Sequence, residues 1–150
     1  MTFEEKVTWV SVLVFAAVPA VYFTVVLGQL GQTSPSEIAY QIPMLTAIGV
    51  SIVLTIVGSI VTGIGSGIAA EITEPGSGAD IGRTDERDAT IGRRGELVGY
   101  YVSSVGVVLA LALTMMEYDY FWIANALYLG FVVAALVSAT VKIVAYRRGF

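Results

Sequence analysis

The sequence predicts an all-α integral membrane protein, a polytopic bundle of four membrane-spanning helices. Of its 150 residues, 56% are hydrophobic and only 13% are charged. The mean hydropathy is +0.80, which lies outside the range of soluble globular domains. Crossing a hydrocarbon core about 30 Å thick takes roughly 20 apolar residues. Four stretches have that length, and we expect them to form one transmembrane domain over residues 1–150: residues 7–30, 42–70, 97–116 and 121–145.

The first half of the chain carries clear start signals for its helices. Thr2 and Glu5 have the spacing of a capping box, so the first helix should begin near Phe3. The acidic start of the chain also differs from the positive n-region of a secretory signal. In the first connection, residues 34–37 (Ser-Pro-Ser-Glu) indicate an N-cap, a proline at N1 and a glutamate at N3. A short helix should begin there, and Pro43 should bend or restart the chain into the second span.

The connection between the third and fourth spans is only residues 117–120, so these two spans should be antiparallel neighbours. Aromatic side chains of the kind that mark a membrane interface surround it. They are Tyr118, Tyr120, Phe121 and Trp122. In the first span Pro19 lies mid-helix and predicts a kink.

The distribution of cations predicts the orientation. All eight Lys and Arg fall on one side of the four predicted spans: Lys6, Arg83, Arg87, Arg93, Arg94, Lys142, Arg147 and Arg148. The connections at residues 31–41 and 117–120 contain none. Short cytoplasmic connections accumulate Lys and Arg. We therefore expect a multi-pass protein of the cell membrane, with both termini and the charged connection 71–96 in the cytoplasm.

Composition argues against several kinds of chemistry. The chain has no cysteine and no histidine, which removes disulfides, the usual zinc and haem ligands and the commonest general base. No nucleophile–base pair is evident, so we expect no enzyme activity, no catalytic residue, no metal and no cofactor. No basic surface predicts nucleic-acid binding.

Small residues recur every four positions along each span, a pattern that lets helix backbones approach closely in lipid. The second span has two such rows and is expected at the centre of the bundle or at a seam between copies of a homo-oligomer. Asn125 and Tyr128 should hydrogen-bond a neighbouring helix, or else contact a ligand. The predicted packing positions are Ser51, Thr55, Ser59, Gly63, Gly67, Gly130 and Ala134.

Before the third span the chain gathers acids and arginines. If Thr84 caps a helix there, Arg83, Arg87 and Arg94 share one face, while Asp85, Asp88 and Glu96 lie opposite. Arginines would then contact anionic headgroups, and carboxylates the cytosol or a basic partner. Three interpretations stay open: a solvated helix that only sets topology, a surface for a partner or second copy, and a weak cation site. The interaction candidates are Asp85, Glu86, Arg87, Asp88, Arg94 and Glu96.

The run Asp85-Glu86-Arg87-Asp88, followed by Ile91, Arg94, Gly95 and the pair Tyr100-Tyr101, resembles a known signature. It is similar to an uncharacterised family of small four-span prokaryotic membrane proteins, a domain of unknown function marked by DERDxxIxxR before the third span. The resemblance reaches from Asp85 to the C-terminus. Members are often encoded beside helix-turn-helix regulators, which implies a regulator as partner. The family has no established activity, so the resemblance implies no catalytic residue.

These observations predict a non-catalytic integral membrane protein that acts through oligomeric or partner contacts, as a membrane regulator or accessory subunit. Its expected partners are the lipid bilayer, a second copy, and a cytoplasmic regulator or another membrane protein. The alternative is a small oligomeric channel or permease built around the small-residue rows of the second span. The lack of carboxylates deep within the spans weighs against a proton-coupled transporter.

Overall fold

A computed structural model describes residues 2–73 and 86–148, and its long elements are four helices, each long and apolar enough to cross a membrane. This agrees with the predicted all-α, four-helix architecture. Two single 3-10 turns, Gly28–Gly31 and Pro35–Glu37, lie in the first connection. Residues 83–85 of the charged stretch, with the expected cap Thr84, lie outside the described residues. The helices are α1 (Phe3–Leu27), α2 (Gln41–Thr73), α3 (Glu86–Met115) and α4 (Tyr120–Arg148).

The helices lie side by side in the order α2, α1, α4, α3. The contact between α3 and α4 is the most extensive, followed by those of α1 with α2 and with α4. We call the end where α1 and α3 begin and α4 finishes the charged end. The opposite end, which holds the turn at residues 116–119, is the aromatic end.

The prediction that the second span occupies the centre is wrong. Among the described helices, the one extensive contact of α2 is with α1, so α2 lies at an edge of the row. Its two rows of small residues occupy neighbouring faces, and together they form one broad surface for α1. The remaining faces carry long apolar side chains that are more than half exposed, including Ile52, Val53, Ile56, Ile60, Val61 and Ile64. A seam between copies stays a prediction.

The predicted packing glycines of α2 meet α1 to different degrees. Gly63 lies beneath the ring of Phe3, whose Cε2 is 3.6 Å from the position a Cβ would take. A Cβ on Gly67 would meet nothing within 4 Å. The tightest approach is instead at Gly58, where the side chain of Val10 occupies the space of the missing Cβ.

The hydroxyl groups of the α2 rows are mostly directed back to their own helix. Thr55 donates to the carbonyl of Ser51 and Ser59 to the carbonyl of Thr55, each at 2.8 Å. Ser51 is buried, and its hydroxyl has no hydrogen-bond partner among the described residues. These predicted positions therefore supply close packing rather than hydrogen bonds between helices.

The two backbones of α3 and α4 touch. A Cβ on Gly106 would lie 2.8 Å from the Cα of Gly130, and a Cβ on Gly130 would meet Gly106 equally closely. Ala134, one turn further along α4, is only 6% exposed. Gly99 continues the contact toward the charged end, with its Cβ position 3.1 Å from Cβ of Ser138. Gly130 and Ala134 were predicted packing positions, whereas Gly99 was not.

A core of aromatic and aliphatic side chains joins α1, α4 and the first connection near the aromatic end. At its centre the hydroxyl of Tyr22 donates to Oδ1 of Asn125 at 2.8 Å, and Nδ2 of Asn125 donates to the Phe121 carbonyl at 2.8 Å. The prediction that Asn125 bonds a neighbouring helix is thus confirmed. Tyr128 contributes its ring, which meets that of Tyr22 edge-on at 5.1 Å. Its buried hydroxyl has no partner among the described residues.

The starts of α1 and α2 follow the sequence signals in part. The backbone N–H of Glu5 donates to Oγ1 of Thr2 at 3.2 Å, which confirms the expected start at Phe3. The short helix expected after Ser34 is a single 3-10 turn, and the Ser34 hydroxyl donates to the Glu37 carboxylate at 2.9 Å without capping the backbone. Pro43 lies in the first turn of α2, where a missing N–H costs no hydrogen bond.

We expect Gly106→Ala to lower the free energy of unfolding by about 1–3 kcal/mol, because the new methyl group would displace the α4 backbone. Unfolding in lipid–detergent micelles measures the change. Gly49→Ala is the control, since its Cβ would meet nothing within 4 Å. Equal effects at the two glycines would show that the α3–α4 contact is not tight.

Two tyrosines of the same core should respond differently to loss of the hydroxyl. Tyr22→Phe leaves the buried Asn125 oxygen without its donor and should cost about 0.5–2 kcal/mol. Tyr128→Phe removes an unpartnered hydroxyl and should cost nothing or stabilise the protein slightly. The same unfolding measurement compares them, and a larger loss at Tyr128 would contradict the hydrogen-bond assignment.

Candidate functional site

The charged stretch forms the first turns of α3 and continues without a break into its apolar part. Glu86 and Asp88 lie in the first turn, where the helix dipole favours acids. Ile91 is only 2% exposed, and Gly95 is also buried. The segment is thus packed against its neighbours well before the apolar part begins.

The described interaction candidates lie on two sides of α3, while Asp85 lies outside the described residues. Glu86, Arg87 and Arg94 are exposed and border a shallow groove beside Ile91. Asp88 and Glu96 are on a different side, which faces α1 and α4. The carboxylates of this second side were expected to face the cytosol or a basic partner. In the structure they contribute to a cavity within the chain itself.

This cavity has a volume of about 260 Å³ and lies between the charged ends of α1, α3 and α4. Unlike the grooves nearer the aromatic end, it has charged walls, with three carboxylates and two cations. We call it the charged-end cavity. Its lining residues are Glu4, Thr8, Asp88, Ala89, Gly92, Arg93, Glu96, Lys142 and Tyr146.

The Lys142 side chain reaches the cavity by passing directly over Gly95, which has no side chain. A Cβ on Gly95 would lie 2.7 Å from Cε of Lys142 and 3.0 Å from the Ser138 carbonyl oxygen, so a side chain there would displace the lysine. The ammonium nitrogen lies 3.6 Å from Oε1 of Glu96. The Lys142 side chain is 24% exposed and that of Glu96 is 74% exposed. An ion pair with one partner this exposed contributes little to stability, so the arrangement mainly positions the ammonium group.

Tyr146 lies near two carboxylates, one from α1 and one from α3. Its hydroxyl group is within hydrogen-bonding reach of the Asp88 carboxylate on α3, and Glu4 of α1 lines the same cavity. Its backbone oxygen accepts a hydrogen bond from Nη2 of Arg87 at 3.5 Å. Thr8, one turn below Glu4, donates its hydroxyl to the Glu4 carbonyl at 2.8 Å. The end of α4 is therefore held between α1 and α3 by polar groups.

Two further contacts join the charged ends of the helices. Nζ of Lys6 donates to Oγ of Ser66 at 3.0 Å and connects α1 to α2. The guanidinium carbon of Arg147 lies 5.6 Å from the ring centre of Trp9, a cation–π contact between α4 and α1. All four helices are thus linked at this end, which gives the cavity and the exposed arginines a preformed framework.

The arrangement is suited to binding charged groups. In residues 2–73 and 86–148, no cluster of three or more acidic, histidine or cysteine side chains is placed to hold a metal ion. Sequence reasoning missed Glu4, Lys142 and Tyr146 as members of one site, because they come from opposite ends of the chain. The one available signal was Lys142, the only charged residue inside any of the four apolar stretches.

Comparisons with protein-family models, with curated proteins and with solved structures find no match for this chain. The resemblance of residues 85–94 to the four-span DERDxxIxxR family therefore stays a prediction.

Proposed function

We propose that this chain is a multi-pass protein of the cell membrane whose charged end lies in the cytoplasm and acts by binding rather than catalysis. Its role would be that of a membrane regulator or accessory subunit. The supporting observation is that Arg87 and Arg94 belong to the first turns of a helix that continues unbroken into its apolar part. The proposed binding surface is therefore an extension of the transmembrane helix.

The proposed orientation is supported by charge and by aromatic content. The cations of α1, α3 and α4 lie at the charged end, whereas Tyr118, Tyr120 and Trp122 lie at the opposite end and are exposed. Lys and Arg favour the cytoplasmic side, and Tyr and Trp concentrate at membrane interfaces.

The proposed partner is a second copy or a cytoplasmic protein with an acidic surface. Arg87 and Arg94 are exposed and border the groove on the other side of α3 from the charged-end cavity, and Arg87 also donates to the backbone oxygen of Tyr146 at the end of α4. An arginine guanidinium group can bind a carboxylate through two parallel hydrogen bonds. Because α3 is packed against α4, presenting these arginines requires little ordering on binding. The resemblance to the DERDxxIxxR family favours a regulator among the cytoplasmic candidates.

The channel or permease alternative receives less support. It requires the small and hydroxyl-bearing rows of α2 to line a pore between copies. These rows face α1, and Thr55, Ser59 and Thr62 donate their hydroxyls to carbonyls of their own helix. A pore between copies would need α1 to move away.

The orientation can be tested by cysteine labelling, since the chain has no cysteine of its own. With a membrane-impermeant maleimide on intact cells, we expect labelling of Ser36→Cys and Tyr118→Cys. We expect Arg148→Cys to react only after permeabilisation. Labelling of Arg148→Cys from outside would reverse the proposed orientation.

Charge reversal tests the proposed surface. We expect Arg94→Glu, alone and with Arg87→Glu, to weaken self-association or a partner complex at least about tenfold, as loss of a charge-assisted contact predicts. Oligomer size in lipid nanodiscs, measured by mass photometry against concentration, gives the readout for self-association. For a regulator, the readout is binding of the purified protein to the same nanodiscs.

Arg148→Glu is the matched control, because it reverses an exposed arginine at the same end of the bundle. Its complexes should be unchanged. If Arg87→Glu/Arg94→Glu complexes also match those of the unmodified protein, the arginine surface is not the contact.

A further inference from the structure

We infer that the charged-end cavity binds a small zwitterion, a molecule of roughly amino-acid size that carries one ammonium and one carboxylate group. This goes beyond the proposed function, because the cavity lies on the side of α3 that faces α1 and α4, away from Arg87 and Arg94.

The space for a ligand comes from a glycine in the cavity wall. Gly92 lines the cavity, and a Cβ built on it would meet nothing within 4 Å. By contrast, the space beside Gly95 and Gly99 of the same helix is occupied by atoms of α4. A volume of about 260 Å³ corresponds to about eight or nine water-sized groups, at about 30 Å³ each. That is the size of a small amino acid or betaine with one or two waters.

The inner part of the cavity provides a positive group. The stem of Lys142 is largely buried, and its ammonium nitrogen lies 3.6 Å from the nearest Glu96 oxygen. A charge-assisted hydrogen bond between such groups is normally about 2.7–2.9 Å long. A lysine ammonium has three N–H donors. The loose pairing with Glu96 therefore leaves Lys142 able to bind a ligand carboxylate.

The outer part of the cavity is acidic. Asp88 of α3 and Glu4 of α1 line this part of the cavity together with Tyr146. Asp88 is about two helical turns, or roughly 12 Å, from Glu96 along α3. The acidic part therefore lies toward the helix ends and the lysine lies deeper. A ligand ammonium group would bind between these carboxylates while its carboxylate reaches Lys142, which requires several bonds between the two charged groups, as in γ-aminobutyrate.

The two signs of charge together select the ligand class. An anion that reaches Lys142 must also face three carboxylates, and a simple cation must face Lys142 and Arg93. A zwitterion pairs with both. The absence of a metal-holding cluster among the described residues favours an organic ligand over a metal ion.

Isothermal titration calorimetry of the full chain in nanodiscs tests the inference, with γ-aminobutyrate and 5-aminopentanoate as the zwitterionic probes. Acetate and tetramethylammonium are the probes of single sign. We expect at least one zwitterion to bind saturably with Kd below about 1 mM, and each single-sign probe to bind at least tenfold more weakly. Binding of tetramethylammonium or acetate as tight as that of the zwitterions would overturn the proposal, as would no saturable binding by any zwitterion.

Two variants locate the binding within the cavity. Lys142→Met should weaken zwitterion binding at least about tenfold, as loss of a charge-assisted hydrogen bond predicts. Gly92→Val fills the cavity while keeping every charge, so it should weaken binding similarly even if Lys142→Met perturbs the fold. Gly65→Val is the control, because its Cβ position on α2 is also open, and it should bind normally. Unchanged binding by Gly92→Val would place the ligand elsewhere and contradict the inference.

Discussion

The backbone contact between Gly106 and Gly130 holds α3 against α4, and the charged end of the protein is built on that packing. Apolar side chains gain nothing from leaving lipid for another helix, so helices in a bilayer associate through close packing and polar contacts. A Cβ at either glycine would lie 2.8 Å from the other backbone. A residue with a Cβ would force the backbones apart, so the two glycines set how α3 and α4 pack at this point. Toward the charged end, Gly99 of α3 then packs against Ala134 and Ser138 of α4.

The charged end follows from that packing. The two helices stay in contact as far as Gly95. Because of this contact, the Lys142 side chain passes over Gly95 to Glu96, and Tyr146 lies beside Asp88. The start of α1 completes the arrangement through Glu4 and Thr8. The same α3 turns present Arg87 and Arg94 on the side away from these groups. One helix thus supports two chemically different surfaces, an exposed basic one and a partly open pocket of mixed charge. Each is proposed to bind a different partner.

Local signals in the sequence predicted much of the fold. Apolar stretches of membrane-spanning length, the Thr2 cap and the short 117–120 connection each depend on neighbouring residues, and the structure agrees with them. The position of α2 was not predictable in this way, because small-residue rows indicate a close neighbour without identifying it. Helical periodicity predicted that Arg87 and Arg94 lie on a different side of α3 from Asp88 and Glu96. The cavity could not be predicted from periodicity, because Glu4, Asp88 and Lys142 come together only through the tertiary packing of three helices.

The charged stretch is continuous with α3, and we expect it to stay packed against α4 rather than to form a separate helix at the membrane surface. Hydrogen–deuterium exchange of the protein in nanodiscs measures this directly. We expect the amides of residues 91–96 to exchange nearly as slowly as those around Gly106, because their hydrogen bonds open only when α3 separates from α4. Fast exchange throughout residues 91–96, with protection beginning only near Leu97, would contradict the account.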